Sequence, residues 1–353
     1  MKKKFITNLI LLLSLNLLVK PFWILGIDRT VQNVVGAEEY GFYYAALNLS
    51  FLFNILLDLG ITNYNNRNIS QHSQLLNKHF SSIVIVKFML SVLYAVFTLG
   101  IGFIIGYSER QILLLLVLVF NQFLSSFILY LRSNIAGLLL FKIDSILSVL
   151  DRFLMIIICS FLLWTNISNQ IFQIEWLAYI QTIAYSITAI VALVLVIIKS
   201  KFRKLRWNRP FFIMVLKQSF PFALLILLMN FYQRIDSVML ERMLADGKEQ
   251  AGIYASAYRL LDAVNMIAYL FAVLLLPIFS RMIKLKESIE EIAKISFNLI
   301  IVMSVVCVGI SCFYSYEIMD LMYIEHVNQS SDVFQLLMST FVAIGTVYIF
   351  GKC

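Results

Sequence analysis

Charged side chains stand where this sequence is otherwise apolar. Lys20, Asp28, Arg29, Asp58, Lys87, Arg234, Asp236, Arg259 and Asp262 all lie within long hydrophobic runs. An ionised group at the centre of a bilayer costs roughly 2.5–3.5 kcal/mol on insertion scales, so it persists only where it faces protein or water. Arginine's planar fork grips two oxygens at once, which suits phosphate, and a carboxylate beside it can orient it or take up a coupling ion. The expected cavity cations are therefore Arg29, Arg234, Arg259 and Lys20. The expected cavity acids are Asp28, Asp236, Asp262 and Asp58. A plainer reading stands beside this one: Asp28 with Arg29, and Arg234 with Asp236, neutralise each other as buried pairs. Lys87 is expected to snorkel to the nearer surface, and Asp58 to sit near the inner end of its span.

The elements that carry these residues are membrane-spanning helices. A mean hydropathy of +0.87, with 61% hydrophobic and 14% charged residues, excludes an ordinary soluble domain. The apolar runs reach the roughly 20 residues needed to cross about 30 Å of hydrocarbon, and only helices satisfy their own backbone there. Ten spans are predicted, near 5–34, 39–62, 80–106, 111–131, 146–165, 175–198, 219–244, 251–276, 294–316 and 333–351. The fold class is thus an all-α polytopic membrane protein.

The pattern repeats. Gly36, Glu38, Gly41, Tyr43 and Ala46 recur at an offset of 211 residues as Gly247, Glu249, Gly252, Tyr254 and Ala257, and Ile27-Asp28 is echoed by Ile235-Asp236. A polar register of this kind does not follow from apolar composition. It marks two halves built alike in the same orientation. The division predicted from it is a six-span bundle over 1–198, a basic cytoplasmic linker over 199–218 and a bundle of four spans over 219–353. Spans matching the fifth and sixth are missing from the second half, so a C-terminally truncated product is expected. Most of the charged spans are the repeat-related ones, and these can meet around a central wet cavity with cationic walls.

The remaining features mostly exclude. The net charge of +8 sits in short loops between spans, which sets nucleic acid aside. Those loops place most Lys and Arg on one side, with Arg110, Arg242 and Lys248 on the other, so the N-terminus is expected inside. Cys159, Cys307, Cys312 and Cys353 show no disulfide or metal spacing, and His72, His79 and His326 stand singly. No phosphate-binding Gly-rich loop, nucleophile elbow or cofactor motif is visible, and no metal or cofactor is expected. Ser280–Lys294 reads as an amphipathic helix on the inner surface.

The stretch Val35-Gly36-Ala37-Glu38-Glu39-Tyr40-Gly41-Phe42-Tyr43-Tyr44-Ala45 after an N-in first span resembles the opening of Wzx-type polysaccharide flippases. Asp58-Leu59-Gly60 before Asn66-Arg67-Asn68-Ile69, the basic linker and Tyr316-Glu317-Ile318-Met319-Asp320-Leu321-Met322-Tyr323 are similar too. The superfamily also holds multidrug exporters and the lipid II flippase. The resemblance implies two bundles around a central cavity, alternating access, and movement of an undecaprenyl-diphosphate-linked oligosaccharide such as an O-antigen unit across the bacterial cytoplasmic membrane. It implies no enzyme activity. The expected partners are that lipid-linked oligosaccharide, membrane lipids and the polysaccharide polymerase machinery. The competing readings are a cation-coupled small-molecule exporter of the same fold, a membrane polymerase or acyltransferase, and an inactive truncated remnant.

Overall fold

The computed structural model describes residues 14–72, 74–164, 172–200, 209–284, 288 and 290–350. Among them the chain is helical with no strand, an all-α architecture as expected. Among the described residues, six helices are long and apolar enough to cross a membrane: His79–Ile104, Glu109–Gly137, Phe141–Trp164, Ile174–Ser200, Glu290–Met322 and Val327–Val347.

The first span is built in pieces: α1 over 14–22, a π-helical segment Trp23–Asp28, and α2, Arg29–Val35. The π segment begins two residues after Pro21, which has no N–H to give to a regular ladder. Thr30 Oγ1 donates to the Gly26 carbonyl at 2.5 Å and so satisfies one of the freed groups. Gly36 turns the chain with φ of 85°, and α3 follows, Ala37–Leu52.

The second span breaks earlier than the hydropathy predicts. A 3₁₀ turn, Asn54–Leu57, is followed by Leu59 at φ 46° and Gly60 at φ 77°. The polar stretch between the second and third predicted spans opens with a helix, α4, Ile61–Gln71. Its buried residues Ile61, Asn65 and Ile69 recur every four positions, and Asn65 Nδ2 donates to Ser133 Oγ at 2.9 Å and Asn134 Oδ1 at 3.0 Å. An amphipathic surface helix with few apolar residues escapes a search for long apolar runs.

The rest of the first half comprises α5, Leu75–Ile104; α6, Glu109–Gly137; α7, Phe141–Trp164; and α8, Ile174–Ser200. A capping box starts α6: Gln111 N donates to Ser108 Oγ, and Ser108 N donates to Gln111 Oε1 at 3.0 Å. After residues 201–208, part of the predicted linker, which lie outside the described residues, come α9, Arg209–Met243, and α10, Gly247–Lys284. Then follow α11, Glu290–Met322, and an almost continuous pair, α12, Val327–Ser339, and α13, Phe341–Phe350. The predicted surface helix Ser280–Lys294 is divided between the end of α10 and the start of α11, with 285–287 and 289 outside the described residues.

The repeat has a structural meaning. α3 and α10 begin side by side, and their repeat-matched glycines make the crossing reciprocally. A methyl group on Gly41 would overlap the Lys248 carbonyl and the Gly252 amide, and one on Gly252 would overlap the Ala37 carbonyl. Lys248 stands to Ala37 as Gly252 stands to Gly41, so one contact is made twice about an approximate two-fold axis. Small residues let helix backbones approach this closely inside a membrane. The same end is stitched further: Gln32 Nε2 donates to the Gly252 carbonyl at 3.0 Å, Gln111 Nε2 to Glu241 at 2.7 Å, and Ala37 N to Glu325 at 2.8 Å.

Gly252→Ala should therefore cost about 1–3 kcal/mol as an overpacked contact and pry the two helix starts apart. Glu38 and Lys248 approach to 4.0 Å, so a Glu38→Cys/Lys248→Cys pair reports the gap by disulfide yield. The yield is expected to fall when Gly252→Ala is added; an unchanged yield would show that the crossing accommodates the methyl.

Candidate functional site

The centre of the molecule is a stripe on α3 facing two arginines of the second half. Tyr40, Tyr44 and Asn48 recur every four residues and so share one helix face. They are buried, at 0%, 1% and 2% exposure, so their polar atoms need partners within the protein. Arg259, on α10, donates from Nε to Tyr40 Oη at 3.0 Å, and its guanidinium lies 5.1 Å from the centre of the Tyr44 ring. Arg234, on α9, donates to Asn48 Oδ1 at 3.1 Å and lies 5.0 Å from the Phe51 ring centre. Asn48 is oriented for this by giving its own Nδ2–H to the Tyr44 carbonyl at 3.0 Å.

Asp28, the last residue of the π segment, closes the cluster from the first half. Its carboxylate lies 2.7 Å from Arg259 Nε and accepts from Tyr40 Oη at 2.7 Å. At an effective dielectric of about 20 the ion pair is worth on the order of 6 kcal/mol of Coulomb attraction. Taking both groups out of water costs several kcal/mol each, so the pair sits near break-even. Asp262 lies within the fields of both Arg234 and Arg259. Thus Asp28, Arg234, Arg259 and Asp262 are brought together, as their predicted cavity roles require.

The other predicted site residues go elsewhere. Arg29 follows Asp28 by about 100° of helix and reaches the end of α11, where Nε donates to the Met322 carbonyl and Nη2 to that of Leu321 at 2.9 Å. It caps a helix C-terminus, where unpaired carbonyls attract a cation, and does not pair with Asp28. Asp236 is exposed and lies two residues beyond Arg234, on nearly the opposite face of α9, so these two do not pair either. It accepts from Tyr254 Oη at 3.3 Å and borders a largely apolar groove of about 660 Å³ with Met239, Met243, Leu336 and Leu337.

Lys87 does not snorkel: it is 1% exposed. Its ammonium pairs with Asp58 and donates to the Leu57 carbonyl and to Ser126 Oγ, each at 3.0 Å. The physical reason is the break in the second span, whose freed carbonyl and carboxylate offer a cation better partners than the membrane surface. Asp58, predicted among the cavity acids, belongs to this separate cluster. Lys20 lies on α1, close enough to Arg152, Asp151 and Arg132 for their charges to act on it.

Tyr40, Tyr44, Asn48 and Arg152 are not among the residues singled out from the sequence. Polar tips at four-residue spacing in an apolar span are a usable signal for the first three, and Arg152 is a further charge inside the predicted span near 146–165.

The fold recurs in solved structures. An inward-facing multidrug resistance MATE family transporter of the MOP superfamily matches with a TM-score of 0.62 at 14% identity, over 98% of this chain and 84% of that one. A MOP superfamily transporter from Pyrococcus furiosus matches with a TM-score of 0.56 at 15% identity, over 98% and 80%. The protein is therefore a polytopic helical membrane protein with the MOP-superfamily transporter fold. A family model described as polysaccharide biosynthesis protein matches residues 5–283, and the chain belongs to that family, in accord with the resemblance to Wzx-type flippases. No curated protein matches the sequence.

The Lys87 cluster yields a stability prediction. Lys87→Ala leaves Asp58 beside an unfilled site and should cost on the order of 3 kcal/mol, read as a lower Tm in detergent. Adding Asp58→Asn should recover part of that loss; no recovery would mean that Lys87 acts through packing rather than charge.

Proposed function

We propose that the protein is a flippase that moves a polyprenyl-diphosphate-linked oligosaccharide from the inner to the outer leaflet of the bacterial cytoplasmic membrane, with its N-terminus cytoplasmic. Family and fold point to a transporter rather than a catalytic enzyme. One observation carries the substrate class: two arginines of the second half lie on the Tyr40–Tyr44–Asn48 stripe, and a single carboxylate across the interface neutralises Arg259.

A diphosphate competes directly with Asp28 for Arg259. It brings more charge than one carboxylate and fits the guanidinium fork in the same bidentate way. Because the pair it replaces is near break-even, the exchange needs little net energy. Releasing Asp28 also unties the π segment of the first half from α10 of the second, so cargo binding loosens the contact between the halves. Rocking of one bundle, 1–198, against the other, 219–353, then exposes the site to the opposite side. The sugar and the lipid tail travel outside this polar centre, the tail in the bilayer. Asp262 steadies Arg234 and Arg259 while the site is empty.

One feature favours a second reading, a cation-coupled exporter of small molecules: the exposed Asp236 beside the apolar groove would suit a lipophilic cation. A MOP transporter described as having a binding pocket of reversed polarity, with a different function, supports the view that pocket charge varies on this fold. Binding of a short prenyl diphosphate against tetraphenylphosphonium separates the two readings.

In cells, Arg259→Ala and Arg234→Ala are each expected to reduce outward delivery of lipid-linked oligosaccharide at least tenfold, measured as its distribution between leaflets. Unchanged delivery in both variants would remove the diphosphate role. Asp28→Asn, which keeps the shape but drops the competing charge, should retain prenyl diphosphate binding while slowing transport, and loss of binding would contradict the exchange.

A further inference from the structure

The proposed site has a cation that nothing above assigns. Parallel to α1 in the first half runs α7, and the two are pinned together where Asn16 Nδ2 donates to Ser148 Oγ at 3.0 Å. One helical turn further along both, Lys20 comes level with Arg152. The Arg152 guanidinium lies 5.6 Å from the ring of Trp23 and 5.9 Å from that of Tyr185, and donates to Tyr185 Oη at 3.2 Å. Its ion-pair partner among the described residues is its own neighbour Asp151, at a loose 3.9 Å. Trp23 opens the π segment that Asp28 closes about one turn later, so Arg152 sits against the same segment that carries the Asp28–Arg259 pair.

Two like charges held level across parallel helices repel each other, and here a single adjacent carboxylate offsets both. Three other arginines near the interior are better served: Arg29 holds two helix-end carbonyls, Arg132 pairs with Asp144 at 2.8 Å, and Arg259 pairs with Asp28. Aromatic faces beside Arg152 fix its plane without neutralising it. Its Nη1 reaches Met155 Sδ at 3.6 Å and its Nη2 donates to Tyr185 Oη at 3.2 Å; both acceptors are neutral and use two of its five N–H donors, which leaves the charge and the other donors for an oxyanion.

We infer that Arg152, with Lys20, is the anion-binding wall of the first half and takes one phosphate of the transported headgroup while Arg234 and Arg259 take the other. This inference rests on the diphosphate reading above. It replaces Arg29, whose side chain is committed to the end of α11, with Arg152 as the cation contributed by the first half. A diphosphate bridging Arg152 and Arg259 would join the two halves through the cargo itself in place of the Asp28 contact.

The test uses the purified full chain in detergent with geranyl diphosphate as the probe. Arg152→Ala is expected to weaken binding at least tenfold, Arg152→Lys to recover a third or more of the affinity, and Arg29→Ala to change it less than twofold. Geranyl monophosphate, offering one phosphate, should bind wild type and Arg152→Ala within threefold of each other, a pattern a merely structural role would not give. Diphosphate binding that is lost in Arg234→Ala but intact in Arg152→Ala would overturn this inference and leave the proposed function standing. Failure of the wild-type chain to bind geranyl diphosphate would overturn both. A monodisperse elution profile and an unchanged Tm for Arg152→Lys separate loss of the site from loss of the fold.

Discussion

One carboxylate and one guanidinium, contributed by helices more than two hundred residues apart in the chain, meet inside the interface between its halves. The Asp28–Arg259 pair is only as favourable as its geometry is good, because desolvation takes back most of what attraction supplies. Much of the surrounding architecture secures that geometry. The π segment after Pro21 sets the facing of Asp28, Tyr40 supplies a hydroxyl to both partners, and the glycine crossing brings α3 and α10 close enough for a side chain to bridge them. If the helices stood farther apart, the pair would lengthen and its attraction would no longer offset the cost of taking both groups out of water.

The glycine repeat was legible as a pattern before it was legible as a contact. Sequence spacing showed that Gly41 and Gly252 correspond. That corresponding residues touch each other across an axis is a property of the folded pair, and a single sequence does not contain it. The charges were legible in the same partial way. Their presence in apolar runs marked Asp28, Arg234, Arg259 and Asp262 for a shared environment, and the cost of burying charge explains why that inference holds. The direction of each side chain depended on helix phase, and a π segment or a broken span alters the phase without an obvious residue signature. Hence Arg29 and Asp236 diverge from neighbours one and two positions away, and Lys87 finds its partner at a break in the second span.

A tightly bound central pair would lock the halves together, and an absent one would leave Arg259 unpaired in a low dielectric. A pair close to break-even avoids both outcomes. It holds the empty protein in one arrangement, yet a ligand of greater charge displaces it, since the ligand need outbid a single carboxylate rather than a full hydration shell. The same reasoning explains why the competing acid sits on the other half of the chain. Asp262, the acid on α10 itself, makes no ion pair with Arg259 among the described residues and acts on it only through its charge; exchanging such an acid for cargo would leave the interface untouched. Placing Asp28 across the interface makes every exchange at Arg259 an event at the contact between the halves, and this links binding to movement without a separate coupling element.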